Sequence, residues 1–281
     1  MSEKYYEIIN EIPMNIDDEC ILDIKTTKVT EYTHRFHKYP GKFIPQIPRW
    51  AMNKYLKKGG ENYILDPFCG SGTTLVEGML YGHNVIGIDI DPLSTLISKV
   101  KTTRLDNEKL IAISRWILDN MENSEKKFHP KCDTLEHWFS DDAIQKLSKI
   151  RALINDVSIT FGNSQNVKDI QDFLTICLSS IIRRVSNADN QSQKTYVSGT
   201  KIKTPEEVYG LFRKQLNTYI ERIAEFSEKV DKKIKSDVKC TQNNSELKCK
   251  LNGLKVDLVI SSPPYIKSID YKLFVNLSNN A

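Results

Sequence analysis

Residues 63–74, YILDPFCGSGTT, and residues 85–92, VIGIDIDP, carry the pattern from which the fold follows. Each begins with an apolar run of strand length and reaches an acid, Asp66 in the first and Asp89 in the second. Between them, residues 75–81 show helical apolar spacing. A strand, a glycine loop, a helix, a second strand and an acid open a doubly wound α/β sheet. We therefore predict an α/β fold with a Rossmann-like sheet.

Towards the C-terminus the strand pattern returns. Residues 237–241 (DVKCT) and 256–260 (VDLVI) predict two further strands, and the second runs into Ser262-Pro-Pro-Tyr265. Between these two pairs of strands, residues 93–230 are mostly helical in pattern, and Ser140 and Thr204-Pro205 are typical of helix starts. Strands and helices of a sheet are normally joined by about four residues. The long block is therefore predicted to be an inserted helical subdomain.

These patterns predict four segments along the chain. They are an N-terminal arm at 1–33, a first part of the α/β domain at 34–92, a helical insertion at 93–230, and a second part at 231–281. Helices are predicted within the insertion at 107–121, 143–154, 170–184 and 205–230.

Composition describes an ordinary globular protein. The 281 residues are 40% hydrophobic and 27% charged, with a net charge of +4 that fits a polyanionic partner without requiring one. None of the six cysteines forms a C-x-x-C pair, and no cysteine–histidine spacing is that of a zinc site. The N-terminus lacks an apolar signal core, and no run approaches the roughly 20 apolar residues of a membrane span. We expect a cytoplasmic protein with no metal and no membrane partner.

The glycine loop predicts a ligand site of a particular kind. It lacks the G-x-G-x-x-G spacing of nicotinamide and flavin sites and the G-K-[ST] ending of triphosphate loops. Asp66 at its mouth suits a cationic ligand, Asp89 stands where a ribose-binding carboxylate belongs, and the side chain of Ile90 is placed to lie against an adenine ring. The alternative is that both acids only cap loops.

The Ser262-Pro-Pro-Tyr265 element predicts chemistry on an aromatic amine. Two prolines fix the backbone and remove two donors, which leaves carbonyl groups free to accept hydrogen bonds. Acceptors at Ser262 and the Pro263 carbonyl would hold both amine hydrogens, and Tyr265 would stack on a base swung out of a duplex. The alternative is a plain turn that ends a strand.

At these residues the chain resembles the DNA amino-methyltransferases, the N4-cytosine and N6-adenine enzymes of restriction–modification systems. Residues 66–72 are similar to their cofactor loop and residues 262–265 to their catalytic element, with a serine first as in N4-cytosine members. Residues 37–43, HKYPGKF, resemble an extra cofactor-binding segment of some members. The resemblance covers most of residues 34–271. It implies S-adenosylmethionine as the cofactor and duplex DNA as the partner.

The resemblance also implies the site residues. The cofactor would be bound by His37, Lys42, Phe43, Asp66, Phe68, Gly70, Gly72, Thr73, Asp89, Ile90 and Asn244. The catalytic residues would be Ser262, Pro263, Pro264 and Tyr265. Residues 242–245, QNNS, stand where the family usually has an acid after the third strand, and Asn243 or Asn244 could offer an acceptor there. Cys69 is interpreted as a small loop residue, because the C5-cytosine enzymes need a Pro-Cys pair that this chain lacks.

The resemblance implies seven strands, of which the sequence allows four to be placed. We therefore expect an incomplete sheet without its C-terminal strands, in a chain that is one half of a split enzyme completed by a second chain, or a truncated product. The resemblance implies methyl transfer to the N4 amine of cytosine in DNA, within a restriction–modification system. Two other functions stay open. One is methylation of adenine N6 or of a guanine amine in transfer RNA, and the other is a non-catalytic remnant or subunit.

Overall fold

A computed structural model of the chain describes residues 7–9, 11–16, 22–24, 31–39, 41–42, 44–57, 62–130, 132–189, 196–197, 203–241 and 253–262. The chain divides into two compact units. The first unit, called the sheet unit, is drawn from residues 1–35, 41–102 and 228–271. The second, called the helical unit, is drawn from residues 36–40, 103–227 and 272–281.

The sheet unit begins with a small parallel pair that the sequence did not predict. Strand β1 (Glu7–Ile9) pairs with β2 (Leu22–Ile24), with Glu7 opposite Leu22. The segment between them contacts the first helix of the chain, where Trp50 Nε1 donates to the Pro13 carbonyl at 2.8 Å.

The larger sheet has the predicted doubly wound order. Its strands within the described residues are β3 (Tyr63–Asp66), β4 (Asn84–Asp89), β5 (Ser236–Cys240) and β6 (Leu258–Val259). All pairings are parallel and the spatial order is β5-β4-β3-β6. Numbered along the sheet's own chain order this is 3-2-1-4, the order of the Rossmann fold. The predicted α/β, Rossmann-like fold class is confirmed.

Apolar burial explains why β3 and β4 lie at the centre. Ile64 and Leu65 in β3, and Val85, Ile86 and Ile88 in β4, are all buried. A parallel strand covered on both faces requires such near-continuous apolar runs. The apolar residues that predicted each strand are therefore the same residues that lie buried in the core.

Three helices of the sheet unit surround this centre. A 3₁₀ turn (Tyr32–Arg35) precedes α1 (Gln46–Tyr55), and α2 (Thr73–Leu80) and α3 (Pro92–Thr102) follow β3 and β4. Helices α2 and α3 pack against each other and against β4, and α1 packs on α2. The carboxyl ends of β3 and β4 therefore meet the amino-terminal ends of α2 and α3.

Replacing Gly87 by alanine is expected to lower the free energy of unfolding by about 1–3 kcal/mol, the usual cost of overpacking a core. A Cβ at this position would overlap Leu75 Cδ1 and approach Cys69 Sγ to 3.1 Å, and both side chains are buried. Urea denaturation measures the change. Gly210→Ala is the control: its Cβ would meet only the exposed Glu207 side chain, with Oε2 at 3.2 Å, so the free energy of unfolding should change by less than about 1 kcal/mol. Equal stability of the wild-type and Gly87→Ala proteins would contradict the prediction.

The helical unit contains α4 (Asn107–Asn120), α5 (Leu135–Trp138), α6 (Asp141–Phe161), α7 (Gln165–Val185) and most of α8 (Val208–Lys229). Helices α6 and α7 pack together, and α4 packs on both. The side chains of Asp106, Ser140 and Ser164 cap α4, α6 and α7 by accepting a backbone N–H three residues on. Among the described helices, none combines the length and apolar character that a bilayer crossing requires.

One predicted helix start is wrong. The Thr204-Pro205 pair suggested a start near residue 205, whereas α8 begins at Val208. Glu207 takes the capping role, because its carboxylate accepts from the backbone N–H groups of Tyr209 at 3.0 Å and Gly210 at 2.6 Å. The start at Ser140 is confirmed by its capping hydrogen bond.

Candidate functional site

The carboxyl ends of β3 and β6 bring two distant segments of the sequence side by side. Ser261 Oγ donates a hydrogen bond of 2.8 Å to Asp66 Oδ1, and the Ile260 N–H donates to the Leu65 carbonyl at 3.0 Å. Ser262 follows directly. In the 3-2-1-4 order, the gap between strands 1 and 4 is the topological switch point, where open α/β sheets bind their ligands. Ser261 was not predicted to be a site residue, since it lies one residue before the Ser262-Pro-Pro-Tyr265 element and no periodic pattern marks it.

Asp66 is almost completely buried, with 1% of its surface exposed. Its Oδ1 also accepts from the Phe68 N–H at 3.2 Å, which shapes the start of the glycine loop. Burial raises the pKa of Asp66 above the ordinary 3.8, and hydrogen bonds oppose the shift. A cationic group bound beside this carboxylate would favour its ionised form.

Asp89 holds the glycine loop from the neighbouring strand. Its Oδ2 accepts from the Gly70 N–H at 2.8 Å and its Oδ1 from the Asp91 N–H at 3.0 Å. Burial is the main cause that raises the pKa of Asp89 above 3.8. The carboxylates of Asp66 and Asp89 therefore both accept loop N–H groups, and Asp91 caps α3 through Ser94.

The glycine loop turns sharply into α2 and lies against α3. Gly72 precedes the helix with φ of 77°, a left-handed conformation that favours glycine. The Ser98 hydroxyl donates to the Gly70 carbonyl at 2.7 Å, and Lys101 Nζ donates to the Ser71 carbonyl at 2.8 Å. These two contacts from α3 were not predicted, because the apolar spacing of a helix says nothing about its buried polar side chains.

The side chains at this edge of the sheet fit a nucleoside ligand. Two carboxylates, Asp66 and Asp89, end adjacent strands, and the apolar side chains of Phe68 and Ile90 are 49% and 62% exposed. The Ser71 hydroxyl is buried and has no hydrogen-bond partner among the described residues. Carboxylates suit ribose hydroxyls, exposed apolar groups suit the flat face of a base, and an unpaired buried hydroxyl suits a polar ligand atom.

Cys69 lies at the centre of the loop but is unsuited to nucleophilic attack. It is buried, and its backbone N–H donates to the Ile88 carbonyl at 2.9 Å. Burial, assisted by Asp89 and Asp66, raises the pKa of the Cys69 thiol well above its ordinary value. The thiolate is the reactive form, so this geometry agrees with a packing role.

The other predicted site residues lie at several places. His37 belongs to the helical unit, where its backbone N–H donates to Tyr219 Oη at 2.8 Å and its Nε2 lies 3.0 Å from Ser179 Oγ. Lys42 belongs to the sheet unit and donates to the His34 carbonyl at 3.3 Å. Thr73 is buried at the first position of α2. The remaining predictions fall outside the described residues: Phe43, Asn244, Pro263, Pro264 and Tyr265.

A buried ionic cluster on α2 was not predicted from the sequence either. Glu77 of α2 has no exposed surface, and its carboxylate accepts from Arg49 Nε at 2.6 Å, Arg49 Nη2 at 3.0 Å and His34 Nε2 at 2.6 Å. The two hydrogen-bond partners lower the pKa of Glu77 against the opposing effect of burial. The cluster ties α1 and the 3₁₀ turn to the helix that follows the glycine loop.

We expect the stability of the protein to fall as the pH falls below about 6.5, the ordinary pKa of histidine. Burial lowers the pKa of His34 below the ordinary 6.5, so the unfolded chain binds a proton at this site more readily than the folded one. Each such proton contributes at most about 1.4 kcal/mol per pH unit. Urea denaturation at several pH values should give a smaller slope for His34→Gln than for the wild type. The exposed His137→Gln is the control, and an unchanged slope in His34→Gln would contradict the prediction.

Comparisons with known proteins agree with this geometry. A family model described as DNA methylase matches residues 4–99, which include the glycine loop and both carboxylates. No group of three or more His, Cys, Asp or Glu side chains suited to a metal ion occurs in the part of the chain that the structure describes.

Three relatives define the likeness. The Type II methyltransferase M.MvaI of Kocuria varians is 30% identical over 304 residues, which cover 99% of this chain and 64% of the relative. The Type II methyltransferase M.MjaII of Methanocaldococcus jannaschii is 39% identical over 127 residues, 45% of this chain and 23% of the relative. The tRNA (guanine(10)-N2)-dimethyltransferase of Methanothermobacter thermautotrophicus is 38% identical over 96 residues, 32% of this chain and 28% of the relative.

The chain thus spans less than two thirds of the length of these relatives. The residues of the family match include the glycine loop, Asp66 and Asp89, and the similarity to M.MvaI extends along nearly the whole chain. Residues 4–99 of the chain thus match a DNA methylase family model, and nearly the whole chain is similar to part of a Type II methyltransferase.

Proposed function

We propose that this chain takes part in methyl transfer from S-adenosylmethionine to the exocyclic N4 amine of cytosine in duplex DNA. The observation that carries the proposal is the 2.8 Å contact between Ser261 Oγ and Asp66 Oδ1. It holds the glycine loop and the segment that begins with Ser262 at adjoining strand ends, where a methyl donor and an amine would have to meet.

S-adenosylmethionine would supply an electrophilic methyl group on its sulfonium. In the proposed site, Asp89 accepts hydrogen bonds from the ribose hydroxyls, and Phe68 and Ile90 contact the adenine. Asp66 places a negative charge near the positively charged end of the ligand. These roles follow from the carboxylates at two strand ends and from the exposed apolar groups beside them.

On the substrate side, the Ser262 side chain and the Pro263 carbonyl accept the two amine hydrogens. An aromatic amine is a poor nucleophile because its lone pair is delocalised into the ring. Two acceptors would draw that nitrogen towards a tetrahedral geometry and orient the lone pair towards the methyl group. The base must leave the duplex to reach them, and Tyr265 would stack on it. Serine at the first position supports cytosine N4 over adenine N6.

The experiment incubates the purified chain with S-adenosylmethionine labelled in its methyl group and either duplex DNA or transfer RNA. Nucleoside mass spectrometry of the product then identifies the methylated atom. N4-methylcytosine in DNA is the expected product. N6-methyladenine would correct the target base, and label in the RNA alone would overturn the DNA substrate.

A second candidate is methylation of a guanine amine in transfer RNA. The observation that favours it is the 38% identity to a tRNA (guanine(10)-N2)-dimethyltransferase over 96 residues. DNA is preferred because the similarity to M.MvaI extends over 99% of the chain. Both substrates present an exocyclic amine, so the same acceptors would serve.

The hypothesis of a second chain that completes the catalytic domain has its own test. We expect the chain alone to bind the cofactor and to form N4-methylcytosine slowly, and a complementing polypeptide to raise the rate. Full activity of the chain as a monomer in size-exclusion chromatography would remove this hypothesis and leave the proposed chemistry intact.

A further inference from the structure

Lys101, in the last turn of α3, buries its ammonium group beside the glycine loop. The residue is 1% exposed, and its Nζ donates to the Ser71 carbonyl at 2.8 Å. No carboxylate of the described residues pairs with it, and the cation of Lys42 acts on it from within the same unit. Burial, with Lys42, lowers the pKa of Lys101 well below 10.5. Among the described residues its amine donates to one backbone carbonyl and meets no counter-charge, and burying a cation without a counter-charge costs stability.

Ser98 makes a second contact of the same kind. Its hydroxyl donates to the Gly70 carbonyl at 2.7 Å. Ser98 and Lys101 are three residues apart on the helix and therefore share one face. Their two acceptors are consecutive carbonyl groups of the loop. The loop backbone also touches α3 directly, because a Cβ at Gly72 would lie 2.8 Å from Ser98 Oγ and 3.1 Å from Ser98 Cα.

The two contacts from α3 add to the hydrogen bonds that hold the glycine loop from β4 and from within the loop itself. Glycine residues lose more conformational freedom on ordering than any other residue type. The Gly70 N–H is held by Asp89 from β4, and its carbonyl group is held by Ser98 from α3. A loop fixed on both sides before a ligand arrives saves the ordering cost at the moment of binding.

We propose that Ser98 and Lys101 are positioning residues of the cofactor loop: they hold the Gly70 and Ser71 carbonyl groups and thereby raise the affinity for an adenosine-containing sulfonium or thioether ligand that neither residue touches. The proposal rests on the proposed function, because it takes the glycine loop as the cofactor site. A positioning role and a purely structural role of Lys101 predict opposite effects on the stability of the fold. A structural lysine stabilises the fold, whereas this one lowers stability and improves binding.

The test measures S-adenosylhomocysteine binding by calorimetry and the thermal midpoint of unfolding for each variant. Lys101→Met keeps the length of the side chain and removes the donor. We expect its dissociation constant to rise about tenfold and its midpoint to stay level or rise. Ser98→Ala should raise the dissociation constant about threefold, and it keeps the test decisive if Lys101→Met does not fold. Lys99→Met, on the same helix and half-buried, is the matched control and should bind like the wild type.

Amide exchange supplies a second readout that does not depend on ligand binding. The protein is labelled with ¹⁵N-glycine. The Gly70 N–H donates to Asp89 and the Gly72 N–H to the Cys69 carbonyl. Both amides should exchange faster in Lys101→Met, because a less restrained loop breaks these two hydrogen bonds more often. Gly78 in α2 and Gly87 in β4 should keep the wild-type rate.

Two results would overturn the proposal. One is a Lys101→Met dissociation constant within twofold of the wild type. The other is a lowered thermal midpoint together with faster exchange at all four glycines, which indicates a structural role. Absence of binding by the wild type would instead overturn the proposed function, and the exchange rates alone would then decide on the positioning role.

Discussion

Glu77→Gln is expected to lower the free energy of unfolding by about 3 kcal/mol or more, the effect of leaving a buried charge without its counter-ion. Glu77 is completely buried, and its carboxylate is the shared acceptor of His34 and Arg49. Glutamine keeps the shape but removes the charge that neutralises the largely buried guanidinium of Arg49. Glu11, the other partner of Arg49, is mostly exposed and compensates little. Urea denaturation with a constant m-value measures the change.

An exposed ion pair provides the control for this prediction. Glu206 pairs with Arg184 at 2.6 Å, and both side chains are at least 40% exposed. Glu206→Gln should therefore cost less than about 1 kcal/mol. A second comparison replaces Glu77 by leucine and Arg49 by methionine together, and the pair of changes should cost less than Glu77→Gln alone. If Glu77→Gln and Glu206→Gln had the same effect, the assignment of a buried ionic cluster would be wrong.

Asp89→Ala is expected to weaken S-adenosylhomocysteine binding about 100-fold, if the proposed function is correct. The substitution removes the carboxylate proposed to accept two ribose hydroxyls, and hydrogen bonds to a charged group contribute about 1.5–3 kcal/mol each. It also removes the acceptor of the Gly70 N–H, which helps to order the loop. Isothermal titration calorimetry gives the dissociation constant directly.

Two further variants separate these two contributions. The amide oxygen introduced by Asp89→Asn can still accept from the Gly70 N–H, so about a tenfold loss is expected. Asp237→Asn changes a largely exposed carboxylate of β5 that pairs with Lys239, and its affinity should equal that of the wild type. A dissociation constant for Asp89→Ala within threefold of the wild type would exclude Asp89 from the cofactor site.

Most of the sheet followed from short-range pattern. The apolar runs at residues 63–65 and 85–88 predicted β3 and β4, because a strand buried on both faces must be apolar along its whole length. The acids that close these runs could be placed at one edge, since parallel strands end on the same side of a sheet. The start of α8 was predicted less accurately, because a glutamate that caps a helix through its own side chain gives no strong signal in the sequence.

No local sequence pattern predicted the long-range contacts of the site. Ser261 meets Asp66 across 195 residues, and His34 meets Glu77 across 43. In the sequence alone, each of these polar residues could equally lie on the protein surface. Whether such a group is buried depends on a partner that only folding supplies, because a buried polar group is stable only when it is hydrogen-bonded.

Local periodicity and glycine chemistry were thus sufficient to predict the α/β class and to place the glycine loop and the two acids at strand ends. They act within a few residues, so they can be read along the chain. The roles of the glycine loop and of the Ser262-Pro-Pro-Tyr265 element stay predictions. The pairing of β3 with β6, the brace from Ser98 and Lys101, and the Glu77 cluster emerged only in three dimensions. Strand order and side-chain partners depend on packing between segments far apart in sequence, and no local pattern encodes that packing.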